Sequence, residues 1–345
     1  MTRRWSFLLA LLLGACATTG PDTLPKPGET PRMVWPAAPE QARIEFITSF
    51  SSAEDLGLRK SFFRRILDFL VGSDDRRLSR PYAVAVNSEK VAVADPDTAT
   101  VHLFEIQKKT YQQLDRAGKQ LFASPIGVAL GDDKLFVADS DLNKVFILDS
   151  RFETLQVLED FQRPTSLAFD PVRQRLYVTD TLAHEVQVFD QDGGLLFKIG
   201  ERGEQDRQFN FPSHLAFAND RLFVNDTMNF RIQVFDPDGR HLKTFGKHGD
   251  ASGYFTQSKG VVADSDGHIY IADALANRVQ IFDQNGSFLL EFGSGGDAPG
   301  AFHMPSGLAT WNDKIYVADS NGTYFSFLGC PFILTSSLAA CLCLM

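Results

Sequence analysis

The chain has 345 residues, 34 Lys and Arg against 43 Asp and Glu, a formal net charge of −9 and 44% hydrophobic residues. That length and apolar content can bury a large core, and the acidic balance argues against nucleic acid as a partner. No Walker-type phosphate loop, GxSxG elbow or HExxH motif occurs, so three common enzyme classes find no support here.

The N-terminus reads as an address. Arg3 and Arg4 precede an apolar run over 5–13 and then Gly14-Ala15-Cys16. Two cations, a short apolar stretch and small residues at the cut describe a secretory signal, too short for a stable span. Leu13-Gly14-Ala15-Cys16 resembles the bacterial lipobox. That resemblance implies removal of residues 1–15 and lipidation of Cys16. With Ala17 rather than Asp next, it implies an outer-membrane lipoprotein facing the periplasm or the cell surface. An ordinary signal with an incidental cysteine is the alternative. Residues 16–42 hold Pro21, Pro25, Pro27, Pro31, Pro36 and Pro39 and read as an extended tether.

Residues 43–50 read as a strand. Within the insertion 51–80, GLRKSFFRRILDFLV (57–71) predicts an amphipathic helix with Phe62, Ile66, Phe69 and Leu70 on one side. Its setting is basic: seven Arg or Lys against three Asp between 57 and 80. It could pack on a rim with its basic face solvated, cover a channel, or meet anionic lipid.

From Pro81 a unit repeats. Six apolar strands end in Asp95, Asp139, Asp180, Asp226, Asp273 and Asp319, spaced 44, 41, 46, 47 and 46 residues apart. A period of this size means one small unit stacked on copies of itself. Each opens with Pro or a substitute and an apolar run, at Pro81, Pro125, Pro164, Pro212, Ser258 and Pro305. After the Asp comes a third strand, and in three units a hairpin signal at Asp190, Asp236 and Asp283 leads to a fourth ending in Gly200, Gly246 or Gly293. Four short strands rich in Val, Ile and Phe predict an all-β propeller of four-stranded blades. The repeated aspartates are expected to accept backbone N–H groups two residues on, closing Asx-type turns.

These units resemble the NHL-repeat family, with a Gly-rich loop, Phe, Pro-x-Gly, Val-Ala-Asp and an Asn-Arg before the third strand. The likeness covers about 75–328 and is strongest over 200–293; the Asn-Arg is complete only at Asn277-Arg278, with Asn143-Lys144 close to it. It implies six blades over 81–328 and no particular activity. The sixth unit lacks a fourth strand, so 43–50 is expected to supply it and clasp the ring. The end departs from the pattern: 329–345 is an apolar tail with Cys330, Cys341 and Cys343, either a genuine segment or the product of a frameshift. The missing Asn-Arg at Thr323-Tyr324 favours the second.

For function, the residues two past each opening position should face the channel mouth: Ala83, Gly127, Ser166, His214, Gly260 and Gly307. Only His214 could ligate a metal or move a proton, and it is the weak catalytic candidate. His184, His248 and His303 map to the same face and read as structural or solvated. The connections 200–212, 246–258 and 293–305 each carry a Phe (209, 255, 302) expected to act as a plug. They raise half of that face, with Arg202, Arg207, Lys247 and His248 exposed. Loops on a rigid scaffold commonly carry binding. The sequence thus predicts a monomeric, lipid-anchored scaffold for a protein or peptide, with no cofactor and no metal. The alternative is a metal-dependent lyase or lactonase using His214, because six-bladed relatives in this family include such enzymes.

Overall fold

The structure is a computed structural model, and it describes residues 33–52, 54–55, 77–105, 107–321 and 324–329. The expected helix over 57–71, Cys16 and the cysteines of the tail lie outside these residues.

Six antiparallel sheets follow one another along the chain. Blade 1 comprises Ala83–Val86, Val91–Asp95, Thr100–Glu105 and Thr110–Leu114. Blade 2 runs from Pro125–Leu130 to Thr154–Leu158, and blade 3 from Pro164–Asp170 to Leu195–Ile199. Blade 4 runs from Pro212–Ala218 to His241–Phe245, and blade 5 from Ser258–Ala263 to Phe288–Phe292. Blade 6 has Pro305–Trp311, Lys314–Asp319 and Tyr324–Gly329 from the end of the chain. Ile44–Phe50 pairs antiparallel with the last of these, Phe46 opposite Leu328 and Phe50 opposite Phe325, and so closes the ring as expected. A further short strand, Val34–Trp35, lies outside it, with the Trp35 ring 5.8 Å from Phe292 of blade 5. The result is a six-bladed propeller.

The apolar faces explain why. Second strands such as Val91–Asp95, Leu135–Asp139 and Ile269–Asp273 are buried along their whole length, because neighbouring blades cover both sides. The core therefore forms as wedges between blades rather than one centre. Phe136 of blade 2, for example, packs with Leu176 and Phe189 of blade 3, and Tyr270 of blade 5 with Ile315 and Val317 of blade 6. The innermost strands pair on one side only. Their other edges, still bearing backbone N–H and C=O groups, surround an axial channel of about 390 Å³.

Just before each innermost strand sits a buried apolar plug: Leu78, Phe122, Phe161, Phe209, Phe255 and Phe302, none more than 6% exposed. The three Gly-rich connections announce theirs in the sequence. Gly200, Gly246 and Gly293 take φ of +96°, +94° and +88°, and a Cβ at each would lie within 2.4 Å of the plug ring, so only glycine fits. The other three plugs occur in connections without that signature.

Candidate functional site

The repeated aspartates place this face of the ring. Asp95 accepts the N–H groups of Ser79 and Arg80 at 2.6 and 3.2 Å, and Asp139 those of Ala123 and Ser124 at 2.7 and 3.0 Å. Asp180 accepts from Gln162 and Arg163, Asp226 from Asn210, Asp273 from Thr256 and Gln257, and Asp319 from His303. Each carboxylate thus latches the loop arriving from the preceding blade to the end of its own second strand. The expected Asx turn is a second job, seen at Asp95, which also takes the N–H of Asp97 and Thr98, and at Asp139, which takes those of Asp141 and Leu142. Burial raises Asp319 to about 7, against the lowering effect of the His303 N–H.

A bulge lies at or just before most of the residues expected at the channel mouth. In blade 4 Pro212 pairs with Asp226 and His214 with Asn225, leaving Ser213 unopposed, and the same skip occurs in blades 2, 3, 5 and 6. Of the expected positions, Ala83, Ser166 and Gly307 border the axial channel, and the glycines Gly127, Gly260 and Gly307 abut the next blade: an added Cβ would lie 2.7 Å from the Thr165 carbonyl, 2.1 Å from that of Ser306 and 2.7 Å from Tyr82. They are small because adjacent blades touch there.

The residue one past the opening position carries the chemistry. Tyr82, one past Pro81 at the start of blade 1, and Lys259, in the bulge of blade 5, supply it. The Tyr82 ring stacks on His214, from the opposite blade, at 5.5 Å and 29°, and the Lys259 ammonium lies 5.1 Å from the Tyr82 centroid. The stack thus joins side chains of blades 1, 4 and 5. Arg80 and Arg163, placed by the Asp95 and Asp180 latches, are exposed around it and near enough for their charges to act on the Tyr82 phenol.

His214 is 6% exposed. Its Nδ1 meets Ser213 Oγ at 3.0 Å, which in turn meets Thr227 Oγ1 at 2.6 Å, while its Nε2 has no partner. Burial, and then the Lys259 charge, push His214 down to about 3, so the ring is neutral at physiological pH. Burial and Arg80 bring Lys259 down to about 8.

The other candidates are spread out. Arg202, Arg207, Lys247 and His248 are exposed on the raised loops as expected, Lys247 over Tyr254 at 4.2 Å and His248 against Phe230 at 4.2 Å. His184 accepts the Phe211 N–H, and His303 pairs with Asp297 at 2.9 Å. Among the described residues no three His, Cys, Asp or Glu side chains gather as metal ligands would. Sequence reasoning missed the loop clamps. Arg231 donates to the carbonyls of Glu204, Gln205 and Gln208, and Arg278 to Asp250 and Ala251. Gln233 and Gln280 each hold a carbonyl and an N–H of the same loops. The recurring Arg-x-Gln at 231–233 and 278–280 was the available signal.

No protein-family model matches the chain, and no curated protein matches it. Solved structures do. A streptogramin B lyase aligns over 70% of this chain and 76% of its own, with 13% identity and a TM-score of 0.54. A virginiamycin B lyase from Staphylococcus aureus aligns over 73% and 96%, with 13% identity and a TM-score of 0.55. A protein of unknown function from Bacteroides thetaiotaomicron aligns over 74% and 70%, with 14% identity and a TM-score of 0.55. At these identities the likeness is one of fold, and the chain joins these proteins as a β-propeller.

Proposed function

We propose that this protein is an NHL-like, lipid-anchored envelope scaffold that captures a protein or peptide on the face where the aspartate latches lie. The observation that supports it most is the set of three raised loops over 200–212, 246–258 and 293–305. They share one backbone pattern, with Arg202, His248 and Gly295 bridged in parallel to Phe209, Phe255 and Phe302. Such loops present Arg202, Arg207, Lys247 and His248 to solvent without losing order on binding, which lowers the entropic cost of capture. In this reading residues 1–15 are the signal, 16–42 the tether, 43–50 the clasp, 51–80 an insertion and 81–328 the propeller. Changing Arg202, Arg207 and Lys247 together to Glu should abolish cross-linking to the partner in cells, with folding intact; undiminished cross-linking rejects the reading. Cys16→Ser should abolish acylation by a labelled fatty acid, and continued labelling rejects the anchor.

The second reading is a metal-assisted lyase or lactonase at His214. It is favoured by the unpartnered Nε2 beneath the mouth and by the fold shared with two lyases. Metal analysis of the purified protein beside His214→Ala tests it: metal bound by the parent and lost in the variant supports it, and equal content in both opposes it.

A further inference from the structure

Several arginines of the ring are answered by carboxylates, Arg173 by Asp170 and Asp220, Arg175 by Asp238, Arg231 by Asp226 and Arg278 by Glu291, whereas Arg202 and Arg207 stand in solvent on a raised loop. The channel mouth is different. Among the described residues Arg80, Arg163 and Lys259 have no carboxylate partner. The acidic neighbours Asp95 and Asp180 direct oxygens to backbone N–H groups, those of Arg80 and Arg163 included. The latches hold the backbone of Arg80 and Arg163, and with Lys259 these cations come from alternate blades 1, 3 and 5 in a chain of net charge −9. Lys259 is half-buried, and a charge withdrawn from water without a counter-charge is costly. The Tyr82 hydroxyl also lacks a partner among the described residues.

We propose that the mouth is an oxyanion site, in which Arg80, Arg163, Lys259 and the Tyr82 hydroxyl hold a carboxylate or phosphate group of a ligand, with His214 backing the Tyr82 ring. The guanidinium planes suit either group, Lys259 adds a point charge, and the phenol adds a donor. This deepens the capture reading, on which it rests for one point only: the oxyanion would belong to the captured peptide.

Titration calorimetry on the full mature chain in detergent tests it. The probes are inorganic phosphate and N-acetyl-dialanine, with the dialanine amide as control. Saturable binding of phosphate or of the acid, but not of the amide, is expected, weakening as salt is added. Arg163→Gln and Lys259→Gln should each weaken it about tenfold to a hundredfold. Phosphate alone binding assigns a phosphoryl group, and the acid alone a carboxylate. Heat from neither probe, or unchanged affinity in the variants, overturns the proposal. Arg163 is exposed, so its variant decides should Lys259→Gln lose the fold. At about 0.15 M ionic strength, where the reversed surface charges are screened, the Arg202, Arg207 and Lys247 triple Glu variant should keep saturable binding that discriminates the acid from the amide. Lost capture with oxyanion binding intact then follows from the loops, and lost oxyanion binding with capture intact refutes only the assignment of the oxyanion to the peptide.

Discussion

Blades 1 and 2 use the repeated aspartate differently from blades 4 and 5. In the first pair Asp95 and Asp139 latch the incoming loop and also cap their own turn, so each carboxylate is satisfied by neutral backbone donors. In the second pair Asp226 and Asp273 latch the loop and face Arg231 at 2.7 Å and Arg278 at 3.7 Å. The residue five past the aspartate decides: Thr100 and Lys144 in one pair, Arg231 and Arg278 in the other. A planar fork can meet the aspartate and reach loop carbonyls at once, and in blades 4 and 5 it clamps the raised loop, while the loop 293–305 entering blade 6 keeps the same bridge with Tyr324 at that position. A common residue thus sets the frame while its partner sets the face.

The sharpest break is to remove the aspartate from one blade of each kind. Asp226→Ala leaves a nearly buried guanidinium without its counter-charge and should cost ~3–5 kcal/mol. Asp139→Ala removes an acceptor from backbone donors without stranding a charge, and should cost ~1–3 kcal/mol. Urea unfolding of both checks the order, and equal losses would show that Arg231 contributes no more than the backbone bonds.

A smaller effect comes from the position seven past the aspartate, which is Gln187, Gln233 and Gln280 in blades 3, 4 and 5 but His102 in blade 1. His102 meets Thr100 Oγ1 at 3.0 Å and Tyr111 Oη at 2.8 Å. Burial holds His102 near 4, partly offset by the Asp95 charge, and holds His214 near 3. Unfolded histidine titrates near 6.5, so between these values the unfolded chain binds the protons and the folded chain does not. Stability from the two histidines is complete above about 6.5 and falls as pH drops toward 4, by up to ~1.4 kcal/mol per unit for each. Asp319, raised to about 7, opposes this, because the folded chain takes up that proton first on the way down. His102→Gln, which gives blade 1 the residue of its neighbours, should flatten the decline. Melting curves from pH 7 to pH 4 measure it, and an unaltered slope would remove His102 from the account.

A more local effect is expected from Arg231→Met, because the buried Asp226 it leaves behind still accepts from Asn210, Asn229 and Gln233, so its global cost should stay below that of Asp226→Ala. The substitution frees the 200–212 loop while the blade stays packed, so limited proteolysis should cut there first, and not in 114–125, which holds its own two-stranded ribbon at Arg116–Ala117 and Gln120–Leu121. Unchanged cleavage would mean that Gln233 alone secures the loop.

Much of the frame was legible because it depends on local pattern repeated in register. Six aspartates at a near-constant period gave the number of blades, and the absent fourth strand after Leu328 required one from Ile44–Phe50. The residue before the third strand shows why Asn recurs: Ala99, Asn143, His184, Phe230 and Asn277 all sit at φ between +53° and +58°, which Asn tolerates best of the non-glycine residues. Three of the six plugs were readable, at Phe209, Phe255 and Phe302, because a glycine marks each loop.

What the sequence alone determined is therefore the repeat, the closure of the ring and the face on which the loops stand, since these follow from spacing and alternation along one chain. Tertiary structure decided which side chains meet on the axis. A bulge in blade 5 brought Lys259 forward while Ala83, Ser166 and Gly307 kept to the channel wall, and the stacking of Tyr82 on His214 joins residues 132 positions apart. No periodicity encodes that contact, because it exists only once opposite blades share an axis.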